Sequence, residues 1–179
     1  MLQLSKRLNK SEVSREELLK NYKICKTSPK DFVAIVTILI NCFKIPTVEE
    51  TLYYIIQHNL DFKNSVKLID KRTNEIYGLL LFGKCNMFST ARISINPIFD
   101  KVVGQLSHVN GIGFIIDERL RGCGMDIKML YHNVGYLNQF DLIWCGVDKS
   151  LKSHNYWKRL GFSEAPVNVP FARFYMKLL

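Results

Sequence analysis

The sequence predicts one domain of mixed α/β class, a sheet flanked by helices, and three observations carry that expectation. The chain has 179 residues, room for one domain, and at that size roughly 70% of the unfolded surface is buried without a disulfide or metal staple. An apolar share of 47% and a charged share of 23% exclude disordered and collagen-like chains. Strand-like and helix-like periodicities follow one another as β α α β β β α β α β, mixed without strict alternation, which points to a mixed sheet and away from a doubly wound parallel one.

Residues 1–20 read as a polar leader, with a short helix near 14–20 from the capping pattern Ser14-x-x-Glu17, and residues 21–179 as the domain. Tyr22–Thr27 alternates as a first strand that Ser28-Pro29 ends. A helix spans about Lys30 to Phe43, with Phe32, Val33, Val36, Leu39, Ile40 and Phe43 as its buried stripe. Pro46 stops it, and Thr47-x-x-Glu50 caps a second helix through about His58, with Val48, Leu52, Ile55 and Ile56 inward. Ser65–Asp70, the turn Lys71–Asn74 and Glu75–Cys85 form an antiparallel hairpin. Asn86–Lys101 is irregular, and Pro97 argues against a central strand there. Leu106–Ile116 is a strand with Gly111 and Gly113 on one face. Gly122–Asn138 is one helix, with Met125, Met129, Leu130, Val134 and Leu137 as its apolar positions. Asp141–Asp148 is a strand, Ser153–Leu160 a short helix and Ala172–Leu178 a final strand.

The net charge of +9 is uneven. Residues 1–30 hold eight basic and three acidic groups, residues 31–148 eleven and twelve, and residues 149–179 six and one. An anionic partner follows, whether a nucleic acid, an acidic surface or a phosphorylated cofactor. Five dispersed cysteines without a Cys-x-x-Cys pair argue against a secreted disulfide framework and a zinc site. The four histidines are equally scattered, so no metal is expected. The longest apolar run, Phe32–Phe43, is too short to span a bilayer, and Met1–Lys20 has no apolar core to serve as a signal peptide. The expected setting is the cytoplasm, with no membrane partner.

The chemically informative stretch runs from Phe114 to Met125, where an apolar strand gives way to Arg121-Gly122-Cys123-Gly124 at the start of a helix. Unpaired amides and a partial positive charge make such a junction an anion site. Gly122 and Gly124 admit an anion close to the backbone, and Arg121 adds a planar cation suited to phosphate. The pattern is neither Gly-x-x-x-x-Gly-Lys-Ser/Thr nor Gly-x-Gly-x-x-Gly. A tight strand-to-helix turn that uses glycine for steric reasons is the competing reading.

This segment resembles motif A of the GNAT superfamily of acyl-CoA-dependent N-acyltransferases, Arg/Gln-x-x-Gly-x-Gly/Ala. Arg121 and Gly124 match its first two fixed positions, while Asp126 stands where the family has Gly or Ala. Some thirty residues on, Tyr156-Trp157-Lys158-Arg159-Leu160-Gly161-Phe162 is similar to the family's motif B, with Gly161 as a left-handed C-cap. The resemblance covers residues 22–178 and implies a sheet splayed between its fourth and fifth strands, with the pantetheine arm of acetyl-CoA in the gap. It implies that the backbone of Ile115 and Ile116 bonds that arm, that the amides of Arg121, Gly122, Cys123, Gly124, Met125 and Asp126 cradle the pyrophosphate, and that Trp157 faces the cofactor. Lys149, Lys152, Lys158 and Arg159 would line the groove mouth.

The implied reaction is direct attack of a primary amine on the acetyl thioester. Trp157 occupies the position of the family's acid, and its indole N–H is not a useful acid, so the neighbouring Tyr156 is the candidate acid. His108 is the candidate base, on a strand face shared with Asn110 and, under unbroken alternation, with Ile116. Cys123 and Cys145 have no sequence-evident base and are expected to be packed. Partners would be acetyl-CoA and an amine acceptor, a small molecule or a protein amine, for a monomer or homodimer. The acceptor would be shaped by Lys30–His58 and Asn86–Lys101, which hold no dense carboxylate cluster. Asp126 and Trp157 keep open a non-catalytic acyl-CoA-binding module. The charge keeps open a basic nucleic-acid-binding protein, the least favoured reading because no RNA-binding aromatic motif or zinc-finger spacing is present.

Overall fold

The computed structural model of the chain describes residues 20–84, 101, 105–148, 153–165 and 172–178. All but Lys20 of the expected helix at 14–20 and all but Lys101 of the irregular segment at 86–101 therefore lie outside the described residues, as do Lys149 and Lys152. Seven strands form one sheet in the order β1-β2-β3-β4-β5-β7-β6. They are Tyr22–Lys26 (β1), Val66–Asp70 (β2), Ile76–Gly83 (β3), His108–Ile116 (β4), Leu142–Asp148 (β5), Ser163–Glu164 (β6) and Ala172–Leu178 (β7). Every neighbouring pair is antiparallel except β4 and β5, which run parallel. The helices are Phe32–Phe43 (α1), Val48–Gln57 (α2), Met125–His132 (α3), Val134–Leu137 (α4) and His154–Arg159 (α5).

Local sequence explains how the helices start. The Ser28 amide and hydroxyl both donate to Asp31 Oδ2, at 2.8 and 3.0 Å, and close a single 3-10 turn that launches α1. Asp31 also receives Lys67 Nζ at 2.6 Å, which ties that turn to β2. The Thr47 cap of α2 forms as its spacing predicts, with the Glu50 amide donating to Thr47 Oγ1 at 3.1 Å. The expected helix over 122–138 is instead two. Gly122 and Gly124 have φ of 78° and 76°, outside the helical region, so α3 begins only at Met125. Buried Asn133 then breaks the run and accepts a hydrogen bond from Lys26 Nζ at the end of β1. The two-residue β6 was not expected.

Each face of the sheet carries its own core. One packs α3, α4 and α5 on Leu80, Phe82, Val109, Cys145 and Tyr175. The other packs α1 and α2 on Leu79, Leu81 and Ile112. On α1 the buried side is Ile35, Val36 and Leu39, while Val33 and Phe43, expected inside, are 75% and 41% exposed. On α2 it is Thr51 and Ile55, and the expected Val48 and Ile56 face outward. Both helices are turned by about one position from the expected stripe. Their runs are apolar on several sides, so periodicity does not fix which side the sheet takes.

Candidate functional site

The site is set by where β4 and β5 part. Their register runs His108 with Leu142, Val109 with Ile143, Asn110 with Trp144 and Gly111 with Cys145, and goes no further. Beyond that point β4 continues to Ile116 on β3, and β5 continues to Asp148 on β7. The splay expected between the fourth and fifth strands is thus present. A β-bulge lies beside it. Leu81 pairs with Gly113 and Phe82 with Gly111, leaving Ile112 as an extra residue in β4.

The bulge overturns two expectations that assumed unbroken alternation. A Cβ on Gly111 would meet Cys145 Cβ at 3.5 Å, whereas one on Gly113 would meet Leu81 Cδ1 at 3.3 Å and Leu39 Cδ2 at 3.6 Å. The two glycines therefore point to opposite faces of the sheet. Asn110 likewise faces α2, through His58, while Ile116 packs in the core under α3 and α5.

The open edge of β4 follows from hydrogen-bond phase. The Asp117 amide donates to the Tyr77 carbonyl at 2.8 Å, so residues 117 and 115 turn their backbone groups to β3. Phe114 and Ile116 then aim theirs at the gap. Of the two residues expected to bond a pantetheine arm, Ile116 presents its backbone there and Ile115 does not. The Ile116 carbonyl already accepts from Arg121 Nε at 3.2 Å.

At the top of the gap, the turn before α3 matches only part of the expected cradle. The amides of Arg121 and Cys123 donate to the Glu118 and Leu120 carbonyls at 3.3 and 3.4 Å. Those of Gly122, Gly124, Met125 and Asp126 take no backbone carbonyl among the described residues, as expected for the start of a helix. A Cβ on Gly122 would meet open space. Asp117 is gripped by Arg119 through Nε at 2.8 Å and Nη2 at 2.9 Å. Burial raises the Asp117 pKa, but these hydrogen bonds outweigh it and hold the carboxyl below its usual range. Its charge is thereby compensated.

The short helix α5 covers the gap. Trp157 stacks on Tyr175 with centroids 5.9 Å apart and also meets Phe114 at 6.1 Å. Tyr175 stands beside Cys145, the last β5 residue paired with β4, so the indole bridges the point where the strands separate. Its Nε1 and the Ser153 hydroxyl are buried without a hydrogen-bond partner among the described residues. Tyr156 lies against Phe114 at 6.1 Å, and its hydroxyl faces Asp126. Burial first, then the Asp126 charge and hydrogen bond, push that hydroxyl well above the usual phenol range. The Asp126 departure thus has a neutral partner. Exposed Lys158 and Arg159 end α5.

The two side chains expected to catalyse are not together. His108 lies at the paired beginning of β4, its Nδ1 3.2 Å from the Leu106 carbonyl, three residues before the parting, or about 10 Å along the strand. It is on the α2 side of the sheet, opposite Tyr156. Cys145 is a core thiol whose pKa burial pushes up strongly. Sequence reasoning missed the polar group at the inner end of the gap. Tyr54 Oη donates to the Ile112 carbonyl, the bulge oxygen, at 2.7 Å. The Tyr54 ring lies 4.4 Å from that of His58, and Asn110 Nδ2 meets His58 Nδ1 at 3.0 Å. The spacing of Tyr54 and His58, one helical turn apart, was the available signal.

No protein-family model and no curated protein matches the sequence. Solved structures do match in fold. Ard1 from Thermoplasma volcanium is 12% identical, with a TM-score of 0.62 over 89% of this chain and 98% of its own. NAA60 from Arabidopsis thaliana, solved in complex with a bisubstrate analogue, is 13% identical, with a TM-score of 0.62 over 88% and 99%. A chain of the NatC complex bound to Gag peptide and CoA is 10% identical, with a TM-score of 0.60 over 89% and 99%. With its parted β4 and β5 and its glycine turn at the head of the gap, the chain carries the fold of the GNAT acetyltransferases.

Proposed function

We propose that this protein is an N-acetyltransferase that uses acetyl-CoA as acyl donor and a primary amine as acceptor. The observation that carries the reading is the gap between β4 and β5, which ends at Gly111 and Cys145. It is headed by the amides of Gly122, Gly124, Met125 and Asp126, which take no backbone carbonyl among the described residues. Polar and apolar elements are ordered along it as an elongated thioester needs. The amides and the α3 dipole receive pyrophosphate, the open backbone edge at Phe114 and Ile116 receives an amide-bearing arm, and the parting receives the thioester. When bound, acetyl-CoA supplies an activated acetyl group. The protein's part is to hold its carbonyl at the parting and exclude water with Trp157 and Phe114.

The neutral amine nitrogen attacks the thioester carbon, the C–S bond breaks, and the proton the nitrogen loses passes through water to the departing thiolate, giving the N-acetyl amide and CoA. Tyr156 does not protonate the leaving thiolate here, because its raised pKa keeps the proton on the phenol and its hydroxyl is engaged by Asp126. His108 would serve as the base through intervening water, from three residues before the parting. The similar structures that hold a bisubstrate analogue or a peptide make peptide α-amines the first acceptors to test, with small amines next. The proposed setting is the cytoplasm, where dispersed cysteines without a Cys-x-x-Cys pair stay reduced.

Calorimetry with acetyl-CoA, followed by release of free CoA with an amine panel, tests the reading. Heat of binding with turnover is expected. No heat at millimolar acetyl-CoA, together with salt-sensitive DNA binding, would overturn it. Binding without release by any amine would favour a non-catalytic acyl-CoA sensor, which Trp157 at the acid position and the Asp126–Tyr156 pair already support.

A further inference from the structure

The buried Trp157 Nε1 and Ser153 Oγ have no hydrogen-bond partner among the described residues. Buried donors are rarely left so, because the lost hydration is not recovered. The two residues are four apart, on one face of α5 and about 6 Å apart along its axis. Trp157 lies between Phe114 on β4 and Tyr175 beside Cys145, over the parting itself. Ser153, at the start of α5, sits a turn further out. Across the gap, β4 presents the backbone groups of Phe114 and Ile116.

We propose that Trp157 Nε1–H and Ser153 Oγ–H are ligand donors, the indole to the thioester carbonyl oxygen of the acyl donor and the serine to an amide oxygen of the arm behind it. This inference rests on the acetyl-CoA reading above. The carbonyl is assigned ahead of the sulfur because a thioester-type sulfur is a weak acceptor. An indole does not give up its proton, so its contribution is electrostatic. As the amine adds, the carbonyl oxygen gains negative charge, and a donor fixed in a dry site stabilises it without reorganising. Tyr156 does not compete for that oxygen, since its hydroxyl is engaged by Asp126.

The chain has two tryptophans, so its indole N–H groups give two proton–nitrogen NMR signals. Trp157→Phe removes one signal, which assigns it, and keeps an aromatic ring on Tyr175. Uniformly labelled wild-type protein is titrated in parallel with CoA and with acetyl-CoA. The Trp157 signal is expected to move downfield with acetyl-CoA and far less with CoA, which lacks the carbonyl. The dissociation constant for acetyl-CoA should rise about tenfold in Trp157→Phe, with that for CoA nearly unchanged. Ser153→Ala should weaken both ligands about threefold. Calorimetric binding of acetyl-CoA with a Trp157 signal that stays still, or moves equally with CoA, overturns this proposal and leaves the acetyl-CoA reading standing. No calorimetric binding at all overturns both. Should Trp157→Phe not fold, Trp144→Phe assigns the same signal by elimination, and the wild-type titration then decides the matter.

Discussion

Acid should loosen this fold before its carboxylates are touched, and the responsible group is His58. Its ring is 8% exposed, packed on Tyr54 and hydrogen-bonded to Asn110, and burial pulls its pKa from 6.5 down to about 4. Asn110 Nδ2 donates to Nδ1, so the ring is bound in its neutral form, and a proton on Nδ1 would set two donors against each other. A folded-state pKa below the unfolded one means that the unfolded chain binds the extra proton first. Stability is therefore full above about pH 6.5 and falls as the pH drops toward 4. With those two values, linkage gives a loss of roughly 2.5 kcal/mol between pH 8 and pH 4.5. Asp31, Asp61 and Asp117 all have pKa values below 3.8, so their contributions are lost only at lower pH.

Denaturant unfolding at a series of pH values between 8 and 4.5 measures that loss. His58→Gln cannot take up the proton and should flatten the profile across the window, whatever it costs at neutral pH. A wild-type loss below about 1 kcal/mol, or a full acid slope retained in His58→Gln, would refute the buried-imidazole argument.

Three other perturbations probe the same gap. Tyr54→Phe leaves the Ile112 bulge carbonyl unpaired in a buried site and should cost about 1–3 kcal/mol in equilibrium unfolding. Gly122→Ala meets no protein atom but occupies a φ of 78°, so it should cost about 1 kcal/mol of stability while weakening acetyl-CoA at least tenfold by calorimetry, through the methyl it places in the cradle. Asp126→Asn removes a carboxylate from the first turn of α3 and should tighten acetyl-CoA about threefold to tenfold at low salt, with the gain shrinking as salt is added.

Most elements were legible because their signals are local. The Thr47 cap, the Lys71–Asn74 turn and the Gly161 C-cap at φ 82° each depend on a few neighbouring residues. The motif around Gly122 and Gly124 was legible for the same reason, since positive φ there is a demand on residue type. What sequence did not reveal depends on partners far along the chain. The α1 stripe turns on which side meets Leu79 and Leu81. The break at Asn133 depends on Lys26, 107 residues away, and the Asp126–Tyr156 pair joins two motifs that were read separately.

The bulge at Ile112 is the instructive case, because one inserted residue governs several features of the site. It reverses the facing of every later residue in β4, so that Phe114 and Ile116 lie under α5 while Gly113 turns to α1. It falls one residue past the last β4–β5 pair, where added strand twist drives neighbours apart. It also leaves a carbonyl that the α1–α2 side must satisfy, which Tyr54 does, bringing His58 and Asn110 to the same place. Two glycines flank it, and the sequence offered them as one small-residue face. Their value is the reverse: Gly111 keeps one face clear at the parting, and Gly113 lets Leu39 and Leu81 close the other. If that reasoning holds, Gly111→Ala should impair acetyl-CoA binding more than stability, since its Cβ would meet Cys145 only at ordinary contact distance. Gly113→Ala should do the opposite, pressing on the Leu81 side chain. Calorimetry and unfolding of the pair would separate the two, and equal effects on binding would show that the bulge does not divide the faces as argued.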